Sequence, residues 1–219
     1  MHTKFTRIVK NLSQYVLVIL AIVVVNPGYA EQINPQVTLE KVANATFARI
    51  ELDQQITESD PDHLRVIIEE ELMPYIDHKF AAFKVLGKQF RSVPKDKIPE
   101  FVDEFKQYLI SNFAMVLASY GGQELLFEPV KDPENQKDMT VKAIIRKAGT
   151  PDIHISFKLR KSKQTQEWKT YDLVAEGISL LSSKQSEFAS LIRQQGIQAV
   201  IDEMKNKNRQ SLSVVSNIN

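Results

Sequence analysis

The chain contains no cysteine among its 219 residues. That excludes a disulfide framework, a thiolate zinc site, an iron–sulfur cluster and a cysteine nucleophile. Neither sign of charge predominates. The 28 lysines and arginines face 27 aspartates and glutamates, so nothing suggests the broad basic surface of a nucleic-acid binder. Glycine is scarce at seven residues, and none builds a phosphate-cradling loop or the Gly-x-Ser-x-Gly elbow of a hydrolase. The histidines His2, His63, His78 and His154 are scattered, with no His-Glu-x-x-His and no Asp-rich calcium loop beside them. No metal site, cofactor or catalytic residue is therefore expected. What is present, 43% hydrophobic and 25% charged residues, is the balance of an ordinary globular protein.

The amino terminus reads as a leader. Lys4, Arg7 and Lys10 form a basic opening, Tyr15 to Val25 is an unbroken apolar run, and Gly28 and Ala30 are small residues at the −3 and −1 positions of a cleavage site. The run is shorter than the ~20 residues a spanning helix needs. Residues 1–30 are thus expected to be a secretory signal peptide. Removing its three cations leaves 25 against 27 acids, a mildly acidic exported product with net charge −2. The absence of an unpaired thiol suits an oxidising compartment.

Beyond the leader the hydrophobic period is first helical. Asn34-Pro35 and Asp60-Pro61 are start signals. Leu39, Ala43, Phe47 and Ile50 mark a first helix to about Gln55, and Leu64, Ile67, Ile68 and Leu72 a second that Pro74 ends or kinks. A third carries Ile76, Phe80, Phe83 and Phe90. The longest runs from Pro99 through Phe101, Phe105, Tyr108, Leu109, Phe113, Val116 and Leu117 to Tyr120, and Gly121-Gly122 stops it. The period then becomes two. Strands are expected over 124–130, 139–146 and 153–160, with a fourth, bent one over 168–181. A helix returns at Ser183, breaks at Gly196 and resumes through Val200, Ile201 and Met204. The fold class is α+β: an antiparallel curved sheet of about four strands covered by helices, in one domain over 31–208, with a disordered tail over 209–219.

Chemistry-bearing residues are few. Asp172 and Glu176 share a strand face in an alternating pattern, and a carboxylate facing a cavity serves as general base in isomerases and dehydratases of this architecture. With His154 or Tyr171 that defines an enzymatic alternative. A hydrogen-bonded structural carboxylate is the plainer reading, and His154 falls on the polar face of its strand. Glu69, Glu70 and Glu71 read as a solvated helix face.

The segment Trp168-Lys-Thr-Tyr171-Asp172-Leu-Val-Ala-Glu176-Gly177-Ile-Ser179-Leu, running on to Gln185-Ser-Glu-Phe188 and Leu191-Ile192-Arg193, resembles the signature stretch of the MlaC, or toluene-tolerance, family. Leu64-Arg65, Glu70-Glu71-Leu72-x-Pro74-Tyr75-Ile76, Lys79-Phe80 and Val85-Leu86-Gly87 are similar to the family's second and third helices. Phe105-x-x-Tyr108-Leu109 and Ala118-x-Tyr120 match its long helix. Pro99 and the polar tail after Asn208 depart from the pattern.

The resemblance implies a soluble periplasmic phospholipid-binding protein of nuclear-transport-factor-like fold. It implies exchange of lipid between an outer-membrane lipoprotein–porin complex and an inner-membrane ABC transporter complex, which maintains outer-membrane lipid asymmetry. A monomer is expected, and no nucleic acid. Two acyl chains of about sixteen carbons hold roughly thirty methylenes, whose exposure to water costs on the order of 20–25 kcal/mol. The tails must therefore enter an apolar interior while the head group stays wet. Candidate walls are Phe105, Leu109, Phe113 and Leu117 of the long helix and Val141, Ile145, Ile155, Phe157 and Val174 of the strands, with Phe80 and Leu86 near the mouth. Lys79, Lys142, Arg146, Lys158, Arg160, Lys161 and Lys163 form a candidate basic patch towards partner proteins or lipid phosphates.

Overall fold

The computed structural model describes residues 34–130 and 136–212; the expected leader lies outside them. Helix α1 (Pro35–Leu52) starts where proline and a cap coincide, the Asn34 side chain accepting from the Gln36 N–H at 2.9 Å. A short α2 (Gln54–Ser59) follows, and then α3 (His63–Ile67). Instead of continuing as a regular helix, α3 passes into a π turn at Ile68–Leu72 and a 3₁₀ turn at Met73–Tyr75, where Pro74 forbids α-helical bonding. Arg49 donates to Asp53 at 2.6 Å and approaches Glu70 at 3.5 Å, fastening α1 to that turn. The His63 ring and Arg49 hold the Asp53 carboxyl below its ordinary range.

Helix α4 (His78–Leu86) is shorter than the apolar pattern suggests. Gly87 ends it with φ +49°, and a Cβ there would collide with the Gln185 side-chain amide. A 3₁₀ turn over Gly87–Ser92 takes the chain to α5 (Lys97–Ala118). Pro99 sits in the first turn of α5, where a missing N–H costs nothing, so the helix begins two residues before it.

Five strands follow in a simple meander: β1 (Glu124–Phe127), β2 (Asp138–Arg146), β3 (Ile153–Lys161), β4 (Trp168–Ala175) and β5 (Ile178–Ser179), all antiparallel in the order β1-β2-β3-β4-β5. The bent fourth strand of the sequence reading is two strands, because Glu176 (φ +47°) and Gly177 (φ +80°) form a two-residue hairpin turn. Two helices close the fold, α6 (Leu180–Gln195) and α7 (Ile197–Arg209), separated at Gly196 (φ +82°).

Among the described residues the buried side chains form one large apolar cluster and two smaller ones. The first joins α4, α5, α6 and α7 around Phe101, Phe105, Tyr108, Phe188, Ile201 and Met204. The second joins α3, the π turn and the carboxyl-terminal half of α5 through Leu64, Ile67, Ile110 and Ala114, and takes in Leu212. The third lies on one face of the sheet, with Met139, Val141, Leu159 and Trp168 packed against Leu39 of α1.

The tail expected to be disordered from residue 209 is held as far as Leu212, and the later part lies outside the described residues. Arg65 donates to the Asn208 carbonyl at 2.6 Å, the Gln210 carbonyl at 2.5 Å and the Ser111 hydroxyl at 2.7 Å, while the Leu212 N–H donates to Asp62 at 3.1 Å. Burial raises the Asp62 carboxyl, but the hydrogen bonds from Leu212 and Ser211 and the charge of Arg65 outweigh it, and its pKa is lowered. A carboxyl with a lowered folded pKa stabilises fully above its unfolded value and loses that contribution as pH falls through the folded one. The clamp therefore weakens only in acid, from the ordinary carboxylate range downward. Arg65→Ala is expected to cost about 2 kcal/mol, in the range of charged hydrogen bonds. In hydrogen exchange the amides of residues 208–212 should lose protection first, and unchanged protection there refutes the clamp.

Candidate functional site

The inner face of the sheet is defined by register. Met139, Val141, Ala143 and Ile145 of β2 stand opposite Leu159, Phe157, Ile155 and Ile153 of β3, and Leu125 and Phe127 of β1 extend the same face. On β4 the face carries Trp168, Thr170, Leu173 and Ala175. A bulge at Lys158/Leu159 inserts Tyr171 and shifts the alternation by one residue. Val174, proposed as a wall, is therefore on the opposite face, paired with Ser156 and Ser179.

The long helix divides by depth. Phe105 is 3% exposed and Leu86 1%, and both belong to the helical cluster with α6 and α7. The structure groups them with the closed helical packing rather than with the sheet face where the other expected wall residues lie. Leu109, Phe113 and Leu117, at four-residue spacing, form a half-buried stripe against the second cluster, joined by Ile50, Leu72 and Ile76. On the sheet Val141 and Ile155 are buried, while Ile145 and Phe157 are half-buried. Phe157 stacks on Phe127 at 5.8 Å between centroids. Phe80 stands outside both groups, its ring edge-to-face with Tyr171 and capped by the Arg160 guanidinium 4.0 Å from its centroid.

The two apolar layers meet incompletely. Helix α5 has its main neighbours in α3, α4, α7 and the π turn, and no strand is among them. Helix α1 bridges the layers, contributing Leu39 to the sheet cluster and Ile50 to the α5 cluster. Between α1, the end of α5 and β1 opens a cleft of about 400 Å³, walled by Phe47, Ala48, Tyr120, Leu125 and Leu126 and by the polar Asn44, Glu51, Gln123 and Glu124. Phe47 and Tyr120 stack across it with centroids 4.5 Å apart. None of the residues expected from sequence lines this cleft. Phe47 and Tyr120 are visible in the helical patterns, but nothing in the sequence alone pairs two residues so far apart. Trp168, the single tryptophan, is 8% exposed, and its indole N–H has no acceptor among the described residues.

The structure does not bring His154 to Asp172. Both Asp172 oxygens are engaged: one accepts from the Leu181 N–H at 3.1 Å, the other from the Ser179 hydroxyl at 2.8 Å with the Lys158 ammonium at 3.4 Å. His154 lies four residues along β3 from Lys158, about 13 Å away at the rise of a strand. The Tyr171 hydroxyl is pushed up by burial and then by Asp138, which keeps it protonated near neutrality. Among the described residues no three His, Asp or Glu side chains converge as a metal-binding group does.

Known proteins converge on one answer. The family model described as MlaC protein matches residues 40–206, about three quarters of the chain. The chain belongs to the MlaC family. It is similar to the intermembrane phospholipid transport system binding protein MlaC of Haemophilus influenzae, with 29% identity over 189 residues, covering 86% of this chain and 88% of that protein. Its fold is that of a phospholipid-binding protein from Ralstonia solanacearum solved in complex with a phospholipid, with a TM-score of 0.70 and 21% identity over 81% of this chain and 98% of that one.

The signature stretch joins β4, β5 and α6. Asp172 caps α6 and ties β5 to it. The Glu176-Gly177 turn closes the hairpin, the Glu176 carboxylate accepting from the His154 N–H. The bulge at Tyr171 turns Leu173 inward.

Wall and core residues should separate in stability measurements. Phe101→Ala, in the closed cluster, is expected to cost about 3–5 kcal/mol in urea unfolding, and half-buried Phe113→Ala no more than about half of that. Equal costs overturn the division of α5 into core and wall.

Proposed function

We propose that this protein is a periplasmic phospholipid carrier, working as a monomer after removal of residues 1–30. A diacyl lipid places its tails between α1, the Leu109-Phe113-Leu117 stripe and the inner face of the sheet, and its head group at the α1–β1 cleft. The carrier receives lipid from one membrane complex and delivers it to the other, an outer-membrane lipoprotein–porin complex and an inner-membrane ABC transporter complex, and so maintains outer-membrane lipid asymmetry. The observation that carries this reading is the separation of sheet and α5 into apolar clusters bordered by half-buried side chains. The names of its relatives support it, as does the phospholipid in the Ralstonia solanacearum protein. No described helix is long and apolar enough to cross a membrane. The structural ties of Asp172 to Ser179, Leu181 and Lys158 support binding without turnover chemistry.

Two chains need room near the upper end of the ~300–1,000 Å³ of ligand sites. The cleft offers about 400 Å³ for the head group alone, so the tails enter only as the layers part. Native mass spectrometry of protein taken from the periplasm is expected to find an added mass of about 700 Da, one diacyl lipid retained by its buried methylenes. Ala48→Trp, which fills the cleft with an indole, should reduce loading by about ten-fold or more while leaving the fold intact. A lipid-free mass with no uptake from vesicles overturns the proposal.

A further inference from the structure

Three of the seven cations expected to form a patch are neutralised within the fold: Lys158 faces Asp172, Arg160 pairs with Asp77 at 2.9 Å, and Arg146 pairs with Asp152 at 2.8 Å. A second surface, which takes in Lys79, keeps all of its charge. Residues 79–96 carry Lys79, Lys84, Lys88, Arg91 and Lys95, with Asp96 as their one acid. All five cations are exposed, and among the described residues none forms an ion pair. The local field reaches His78, whose charged form is disfavoured by burial and then by Lys106 and Lys79.

The same surface exposes two large aromatic rings. Ala81, Ala82, Val85 and Leu86 turn inward from α4, which leaves Lys79, Phe83 and Lys84 on its outward side. Gly87 then reverses the local course, and the 3₁₀ turn returns Phe90 to Phe83, edge-to-face at 5.5 Å. Phe83 stays 42% exposed and Phe90 40%, with Lys84, Lys88 and Arg91 as sequence neighbours. Phenyl rings in water surrounded by unpaired cations are the composition of an interfacial surface.

We infer that this face seats the protein on an anionic lipid bilayer, with Phe83 and Phe90 entering the head-group layer and the five cations meeting lipid phosphates. Four of the five are lysines, compact charges on flexible stems that rise to a diffuse layer of phosphates as the rings sink. A partner protein's carboxylates are better met by the planar fork of arginine. The surface shares no residue with the α1–β1 cleft, so the inference goes beyond the carrier function and holds for a chain that carries nothing.

The test is flotation of the full-length gene product, as recovered from the periplasm, with two kinds of vesicle. One is phosphatidylglycerol and phosphatidylethanolamine in equal parts, the other phosphatidylcholine alone. Binding to the anionic vesicles is expected to exceed binding to the neutral ones and to fall as salt is raised. Lys88→Gln with Arg91→Gln should weaken it about twenty-five-fold, at about five-fold per charge. Phe83→Ser with Phe90→Ser should weaken it as well, with unchanged circular dichroism in both variants. Equal binding to the two vesicle types, or full binding by the Lys88 and Arg91 variant, overturns the inference. So does capture by immobilised polyglutamate without binding to any vesicle, which marks an acidic protein surface as the partner. Native mass spectrometry of the same samples keeps the two proposals apart: lipid-free protein that floats sinks the carrier reading alone, and lipid-loaded protein that does not float sinks this one alone.

Discussion

The organising constraint is apolar surface that the chain folds up to but does not fully cover with itself. A core residue is stabilised by close contacts on all sides, and an incompletely packed one loses a share of that dispersion energy. Here the deficit includes one stripe of α5 and part of the inner face of the sheet, which we take as the two walls of a seam. The helical cluster around Phe101 and Phe188 is closed, while Leu109, Phe113, Leu117, Ile145 and Phe157 are half-buried. Separate devices hold the walls of the seam in place. Arg49 fastens α1 to the π turn, and Arg65 with Asp62 pins residues 208–212 across the second cluster. Closed packing in the helical cluster supplies the stability that the seam does not.

An acyl chain entering such a seam completes the contacts its walls lack, and that leads to a thermodynamic limit. Methylenes are nearly as well placed in a bilayer as against phenyl and leucine side chains, so moving a lipid between membrane and protein is close to neutral in free energy. A carrier of this kind cannot set the direction of transport. Direction has to come from partners that bind the lipid or the carrier differently, or from ATP hydrolysis in a complex to which it docks.

Element types were readable in the sequence because each follows from short-range rules: Asn34-Pro35 as a helix start, the two-residue period over 153–160, and the break at Gly196. What short-range rules cannot supply is which apolar stripe faces which layer. The wheel of α5 places Phe105 and Phe113 among its apolar positions, but the first joins the cluster of Phe188 and the second that of Ile67, and only tertiary packing decides. Val174 fails for a different reason. Counting by twos from Trp168 brings it inward, and the single bulged residue Tyr171 reverses the parity of everything after it. Gly87 and the π turn at Ile68–Leu72 likewise shorten helices whose apolar periodicity runs on unbroken.

Charge shows the same limit of averages. A net charge of +1 over the whole chain describes no part of its surface. On the strands, cations and carboxylates were placed within reach of one another: Lys158 completes the shell of a buried Asp172, and Arg160 joins the cap of α4 to the aromatic ring of Phe80. Those charges are consumed in holding β3 and β4 against the helices, and their field outside the protein is largely cancelled. On α4 and the turn after it no carboxylate performs that service. An unpaired charge remains solvated and projects its field about a Debye length into solution, roughly 8 Å at physiological ionic strength. The surface that acts at a distance is one whose cations the fold leaves unused, and residues 79–95 meet that condition throughout, whereas the basic stripe of the sheet spends Arg146, Lys158 and Arg160 on carboxylates.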